Sequence, residues 1–350
     1  MVEADGLAKP ELLSGAPELE NVWNGNTSKL LDFKALVESA DREALQNEGR
    51  VSETLIEKLN ATFQHLCVEM CSVLGESSDF SEEAKRSLGL QFRQEVLPYL
   101  LLAKTAERWY SQPRGYAGDF MTIEQVYDGR PQGIGRIGAI LDRCFLDLPA
   151  AHAVKNRRGL LAEEIQTTLS SKATGETAQV MSLASGPARE IFDVFEQLDN
   201  PSKLYVSLVD IDLQALAFVN DKAKRTRWRK RLRYVPGNLI QVVNGKQHLD
   251  VEPQDLIYSI GLIDYFSDKF VVRLLDYIYG KLSPGGRVIL GNFHPSNPTR
   301  ALMDHVLGWK LVHRTEEQMH RLFEQSAFQR PCTKIRYEEQ RINLFAECVK

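Results

Sequence analysis

The chain has 350 residues, 43% of them hydrophobic and 26% charged, values of a globular protein with enough apolar material for a sizeable core in one large domain or two ordinary ones. A formal net charge of −4 gives no general attraction to nucleic acid or to an anionic membrane. The most apolar run, residues 96–103, is too short for a transmembrane span and contains Pro98.

Residues 1–25 are polar and turn-rich, and we expect a mobile N-terminus. Their acidic start, MVEADGLAKPELL, has no apolar signal core. Five scattered cysteines, an odd number, suit a reducing compartment, so the expected location is cytoplasmic. Residues 28–46 predict a helix with Leu30, Leu31, Phe33, Leu36 and Val37 inward. Residues 52–74 predict a second, with Leu55, Leu59, Phe63, Leu66, Met70 and Val73 at three- and four-residue spacing and Ser52 as its cap. Cys67 and Cys71 share a face of this helix; no further ligands complete a metal set, and core packing accounts for them. Residues 81–111 predict a third helical region, kinked at Pro98. No β alternation occurs before residue 150, so residues 26–150 read as an all-helical cap or substrate domain. Within it, GIGRIG at 133–138 matches GxGxxG formally. It follows Arg130-Pro131-Gln132 rather than a strand, and no acid-tipped strand follows at the right distance. It reads as a turn before a helix at 137–145.

Residues 151–350 alternate. After a helix at 152–171, strands are predicted at 179–183, 204–209, 232–235, 255–260, 287–291, 333–337 and 342–349, with helices between the first five and before the sixth. The last two, joined by the short turn 338–341, form an antiparallel hairpin. This order predicts an α/β fold: a doubly wound, Rossmann-like seven-stranded sheet with a C-terminal antiparallel hairpin. Residues 179–190, QVMSLASGPARE, combine a strand, a small-residue turn and a helix start. The next strand ends in Asp210. An acid at that tip and a turn that admits close backbone approach suit a nucleoside, the acid accepting from ribose hydroxyls. The turn lacks three glycines and no Lys-Ser/Thr follows, so phosphate cradling is not favoured. S-adenosyl-L-methionine fits these requirements.

LASGPARE, VDIDLQAL, GNL and LSPGGRVILGNF resemble the signature series of class I S-adenosyl-L-methionine-dependent methyltransferases, over residues 151–350. Ala184 and Ala188 stand where those enzymes usually carry the outer glycines. The resemblance implies that Ser185 and Gly186 run past the methionine part. Glu190 stands nearby on the first helical turn, where it is equally a favourable charge at a helix N-terminus. Asp210 and the adjoining Ile211 hold the ribose side, while Asp212 reads as the cap of the following helix. Asn238 and Leu239 match the adenine site; the bland reading of Asn238 is a turn residue. Gly261 and Leu262 would line the reaction centre. Tyr265 and Phe266 could form an aromatic wall against the sulfonium, or simply pack. The polar loop 291–300, GNFHPSNPTR, offers Asn292, His294 and Asn297 where an acceptor meets the methyl group. In PRGYAGD, residues 113–119, Arg114 would pair a carboxylate of methionine or of an acidic substrate, with Tyr116 and Asp119 facing the cofactor; a structural turn is the alternative.

Eight basic residues surround Trp228 in KAKRTRWRKRLR, from Lys222 to Arg233. Basic residues interleaved with an aromatic can mark an RNA strip, yet this stretch should lie at the amino-terminal edge of the sheet, away from the crevice. Nucleic acid is therefore not expected, and docking of an acidic partner stays open, as does a homodimer. Helical cap, PRGYAGD turn and NFHPSNPTR loop together resemble a narrower bacterial group, the 3-hydroxy fatty acid methyl ester synthases, over most of residues 95–350. That resemblance implies O-methylation of a fatty acid carboxyl, an acceptor that needs no base because it is already ionised. A small amine or phenol acceptor, cyclisation of S-adenosyl-L-methionine itself, and a non-catalytic binding protein remain alternatives.

Overall fold

The computed structural model describes residues 28–76 and 78–350; the expected mobile segment, 1–25, lies outside the described residues. The N-terminal part is helical. Helix α1 (Ser28–Gln46) buries Leu30, Phe33, Val37, Ala40 and Ala44. Leu31 was expected inward but is 62% exposed, because it falls a third of a turn off that stripe. Helix α2 (Glu53–Leu74) buries Leu59, Phe63, Leu66, Met70 and Val73. Ser52 occupies its N-cap position without capping: its hydroxyl donates to Glu43.

The helical run expected over 81–111 is two helices. α3 (Glu82–Leu100) is capped by Ser81, and α4 (Lys104–Ser111) follows a break. Pro98 cannot donate an intrahelical bond, and α3 ends two residues later. The chain then turns extended at Ala103, which bridges Gly133. This contact explains GIGRIG. A side chain on Gly133 would meet the Leu102 carbonyl at 2.5 Å, and one on Gly138 would meet it at 2.6 Å. Both glycines permit a close backbone crossing. A helix not foreseen, α5 (Phe120–Asp128), starts at Asp119, whose carboxylate accepts from the Met121 and Thr122 amides. α6 (Gly138–Leu146) follows.

Helix α7 (Pro149–Ser170) crosses the expected domain boundary without a break. Ala150, Ala151, Ala153 and Val154 belong to the helical core. Leu160, Leu161 and Ile165 pack under the sheet. The sheet is built from β1 (Ala178–Leu183), β2 (Leu204–Asp210), β3 (Leu232–Pro236), β4 (Gln254–Ile260), β5 (Leu282–Phe293), β6 (Lys334–Tyr337) and β7 (Asn343–Val349), in the order β3-β2-β1-β4-β5-β7-β6. The first five strands are parallel and β6 and β7 form the expected antiparallel hairpin; β7 also pairs antiparallel with β5. One face packs on α7, α8 (Arg189–Gln197) and α9 (Leu213–Ala223). The other packs on α10 (Leu239–Val243), α11 (Asp268–Lys281) and α12 (Glu316–Glu324). After β5 the chain enters the helical core, burying Phe293, Leu302, Met303, Val306 and Leu307 there.

Candidate active site

Neighbouring strands β1 and β4 lead away in opposite directions, and a crevice opens at their carboxyl ends, where open α/β sheets hold ligands. The turn after β1 is left-handed at three places: Ala184 at φ 53°, Gly186 at φ 53° and Ala188 at φ 49°. For alanine this conformation costs about 1–2 kcal/mol per residue, so the turn is strained. It brings the Gly186 N–H within 2.9 Å of Asp210 Oδ2, while the Asp212 N–H donates to Oδ1 at 2.8 Å. Burial pushes the Asp210 carboxyl up, and the two amides pull it back. Each oxygen keeps a lone pair for a further donor.

The opposite wall comes from the helical region. Phe120, Ile123 and Tyr127 of α5, Val154 and Arg157 of α7, and Phe293, Trp309 and Leu311 close a cavity of about 370 Å³ over the sheet edge. Four connections hold the 113–127 segment down. Arg114 donates to Asp212 through Nε at 3.0 Å and Nη2 at 2.5 Å, and to Gln214 through Nη1 at 2.6 Å. The Tyr116 hydroxyl donates to the same Asp212 oxygen at 3.1 Å, and burial first, then Asp212, keeps that phenol protonated. Arg189 and Lys222 both grip Glu124. The Tyr265 hydroxyl donates to the Ala117 carbonyl at 3.1 Å and accepts from Trp309 Nε1 at 2.8 Å.

Eleven of the residues singled out from the sequence line this cavity: Tyr116, Ala184, Ser185, Gly186, Glu190, Asp210, Ile211, Gly261, Leu262, Tyr265 and Phe266. Six do not. Arg114 is engaged by Asp212 and Gln214 and offers no free fork to a ligand. Asp119 caps α5 and pairs with Arg108 at 2.6 Å, buried away from the cofactor side. Asn238 caps α10 through Oδ1, and Leu239 is buried in the core below it. His294 lies in a different depression with Glu316, Tyr337 and Arg341, 3.3 Å from the Glu316 carboxylate. Asn297 is buried, its Oδ1 accepting from the Thr299 amide and its Nδ2 meeting His313 at 3.4 Å. Asn292 is likewise internal, donating to the Val312 carbonyl and accepting from Arg314. Asp212 caps α9 as expected.

Two charged cavity residues escaped the sequence reading. Asp264 is 1% exposed. Its Oδ1 accepts from the Phe293 amide at 2.7 Å and its Oδ2 has no partner. Burial pushes this carboxyl up to about 6, against the pull of the Phe293 amide and of Arg157 and Arg314. Arg157 is 5% exposed, and its Nε has no partner. A sequence signal existed for the arginine: it interrupts the apolar stripe of α7 between Val154 and Leu160–Leu161. Glu190 accepts from the Tyr258 hydroxyl at 2.7 Å, and burial raises its carboxyl. The Ser185 hydroxyl is buried and unpaired.

The basic stretch lies elsewhere. Trp228 is buried and stacked on Phe195. Arg227 and Arg231 donate to the Leu198, Asp199, Ser202 and Leu204 carbonyls, Lys222 pairs with Glu124, and Arg233 pairs with Asp250. The aromatic expected to interleave the basic residues is core. Among the described residues no group of His, Cys, Asp and Glu has the arrangement of a metal site, and no helix is long and apolar enough to cross a membrane.

Comparison with solved structures finds a protein of Bordetella parapertussis described as a possible exported protein, at 17% identity and a TM-score of 0.55, covering 86% of this chain and 99% of that one. At that identity the likeness is one of fold. The N-methyltransferase NodS of Bradyrhizobium japonicum with S-adenosyl-L-homocysteine matches at 15% identity and a TM-score of 0.40, covering 66% of this chain and 97% of that one. The mitomycin 7-O-methyltransferase MmcR matches at 15% identity and a TM-score of 0.45, covering 94% and 96%. No curated protein matches the chain. The family model described as "Putative methyltransferase" matches residues 115–342, more than half of the chain and a span that includes every residue lining the cavity. The chain belongs to that methyltransferase family.

Proposed function

We propose that the cavity binds S-adenosyl-L-methionine and that the protein O-methylates a carboxylate on a small apolar acid of the fatty acid or 3-hydroxy fatty acid class. The observation that carries the cofactor part is Asp210: fixed by two backbone amides at the tip of β2, it faces an enclosed cavity with lone pairs left for ribose hydroxyls. The fit extends to the other end, where the buried Ser185 hydroxyl, Arg157 Nε and Asp264 Oδ2 lack partners on the cavity wall. When bound, the cofactor supplies a sulfonium methyl to a nucleophile placed in line.

The remaining work belongs to the chain. The left-handed turn at Ala184–Ala188 lets backbone approach the ligand. The clamp of Arg114 and Tyr116 on Asp212, with Tyr265 holding Ala117, closes the 113–127 segment over the crevice and excludes water. In this reading the helical region is the cap that supplies the acceptor side. Phe120, Ile123, Val154, Phe293, Trp309 and Leu311 give that side an apolar character. Positioning alone can provide much of the acceleration, and an ionised carboxylate needs no proton acceptor. A second reading, a phenol or amine acceptor, is favoured by one feature, the unpaired oxygen of the Asp264 carboxyl, which could take a proton.

Incubation with methyl-labelled S-adenosyl-L-methionine and a panel of free fatty acids, 3-hydroxy acids, phenols and amines, read by mass spectrometry, tests both. Labelled methyl esters are expected. Labelled ethers or methylamines would replace the acceptor class by the second reading. Methylthioadenosine without a labelled acceptor would indicate cyclisation of the cofactor. Tight binding without any product would overturn the enzymatic reading.

A further inference from the structure

We infer that Arg157 is the carboxylate anchor of the cavity, a role that rests on the proposed cofactor-and-acceptor reading of that space. A guanidinium taken out of water is costly, and a buried N–H left without an acceptor adds to that cost. Arg157 is 5% exposed and lines the cavity; it hydrogen-bonds the Tyr127 side chain but leaves Nε unpaired. Its chain neighbour Arg158 is fully engaged by Asp193, whereas among the described residues no carboxylate forms an ion pair with Arg157. The residues around it confirm the direction in which the fork points. A side chain on Gly261, at φ 72°, would meet Arg157 Nη1 at 3.0 Å, so the arginine reaches the end of β4, beside the reaction centre.

The surroundings also select the anion. The Glu190 and Asp264 carboxyls both feel the charge of this guanidinium, and the Tyr127 side chain hydrogen-bonds it. Two acids close by oppose a dianion such as a phosphate ester. A planar monoanion that takes two parallel N–H bonds from one fork suits the geometry, and that is a carboxylate. Two sources present this chemistry: the methionine end of the cofactor and the acceptor acid. The Arg114 fork, proposed for either role from the sequence, is closed by Asp212, so Arg157 takes over that role.

The test uses the full chain with Arg157→Gln and Arg157→Lys, each first compared with wild type for melting temperature. Calorimetric titration with S-adenosylhomocysteine and with methylthioadenosine separates the sources, because only the former has a carboxylate. If the anchor serves the methionine end, Arg157→Gln weakens S-adenosylhomocysteine by about 30-fold and leaves methylthioadenosine unchanged. If it serves the acceptor, both nucleosides bind as in wild type, and KM for the carboxylate acceptor rises by about 30-fold at little change in kcat. Arg157→Lys, which keeps the charge and loses the fork, falls between. Either pattern supports the assignment. Equal weakening of the two nucleosides, or no change in any of these quantities in a folded variant, overturns it. Should wild type bind neither nucleoside, the cofactor reading fails by itself; titration of octanoate into wild type and Arg157→Gln then decides the anchor, a difference supporting it and equal binding overturning it. Arg157→Ala with added methylguanidinium gives a further check if the glutamine variant does not fold, recovery of carboxylate binding being the expected result and no recovery at matched stability the contrary one.

Discussion

Two polar loops leave the carboxyl edge of the sheet, and they have opposite fates. The loop after β1, residues 184–190, has few polar side chains, yet Ser185 has an unpaired hydroxyl on the cavity wall and the turn holds Asp210 in place beside it. The end of β5 and the loop after it, residues 292–300, are crowded with Asn292, His294, Asn297 and Arg300. Every one of these four is engaged internally: Asn292 by Val312 and Arg314, His294 by Ser296 and Glu316, Asn297 by Thr299 and His313, Arg300 by Glu76 and Asp304. This loop fastens the sheet to the helical core. Polar density at the end of a strand therefore does not mark a site; buried polar atoms left unsatisfied on the wall of an enclosed space do.

The contrast breaks first at Asp210. Asp210→Ala removes the acceptor of two backbone amides and of the proposed ribose hydroxyls. Charge-assisted hydrogen bonds contribute about 1.5–3 kcal/mol each, so S-adenosylhomocysteine affinity should fall by at least about 100-fold in calorimetric titration. Affinity within about threefold of wild type would remove the first loop from the cofactor site.

What could be read from the sequence follows the same divide. All seven strands, their order of appearance and the closing hairpin were legible, because strand and helix periodicity is local and the β1 turn carries its own small residues. So were ten cavity residues that end a strand or follow it, in the turn or the first helical turn after it; Tyr116 alone was read from the PRGYAGD turn. The side chains brought in by the helical region were not. Whether Arg114 meets a ligand or Asp212 depends on a contact across 98 positions. Asp119 read as facing the cofactor because α5, which it caps, was not foreseen. Arg157 was hidden inside a helix whose role as a shared wall only packing reveals. The long helix expected at 81–111 failed for a local reason, Pro98, whose effect was foreseen as a kink and proved to be an end.

Asp264 joins the two regions, since it lies on the cavity wall and holds the Phe293 amide at the root of the second loop. Its carboxyl is raised to about 6 by burial. A carboxyl whose folded value exceeds its unfolded one binds protons more tightly in the native state, so it makes stability fall as pH rises from about 4 to about 6, and the penalty persists above that. Asp264→Asn retains an oxygen for the Phe293 amide and removes the charge. In urea unfolding it should match wild type near pH 4 and exceed it by on the order of 2 kcal/mol at pH 8. Equal stability at both pH values would mean that this carboxyl is solvated, and the cavity would lose one of its unsatisfied groups.

Arg114 tests whether the cap belongs with the first loop. Its pair with Asp212 is partly buried, with side-chain exposures of 21% and 10%, and its guanidinium also lies 4.8 Å from the Phe120 ring. Arg114→Ala should destabilise the protein by about 1 kcal/mol. Releasing the clamp should raise KM for the cofactor about tenfold while kcat changes less, because closure governs retention of the ligand. Arg114→Lys should restore little of this, since one ammonium cannot bridge Asp212 and Gln214 as the fork does. A fall in kcat at constant KM would instead place Arg114 at the reacting atoms.

The smallest effect is expected where the sequence suggested a catalyst. His294 stands in a surface depression, its Nδ1 on Ser296 and its Nε2 facing Glu316, and the Tyr337 hydroxyl donates to the same carboxylate. Removing the imidazole deletes partly exposed contacts to Ser296 and Glu316, a change of about 0.5–1 kcal/mol. Glu316 keeps Tyr337 as a partner, so no buried charge is orphaned. His294→Ala should therefore leave S-adenosylhomocysteine affinity unchanged and turnover within about twofold of wild type at every pH from about 6 to 8, the range in which an imidazole base would show itself. A tenfold loss of kcat, or loss of a limb from the pH profile, would make the second loop a working part of the site, and the distinction between a loop with unsatisfied groups on the cavity wall and one away from it would have to be abandoned for this fold.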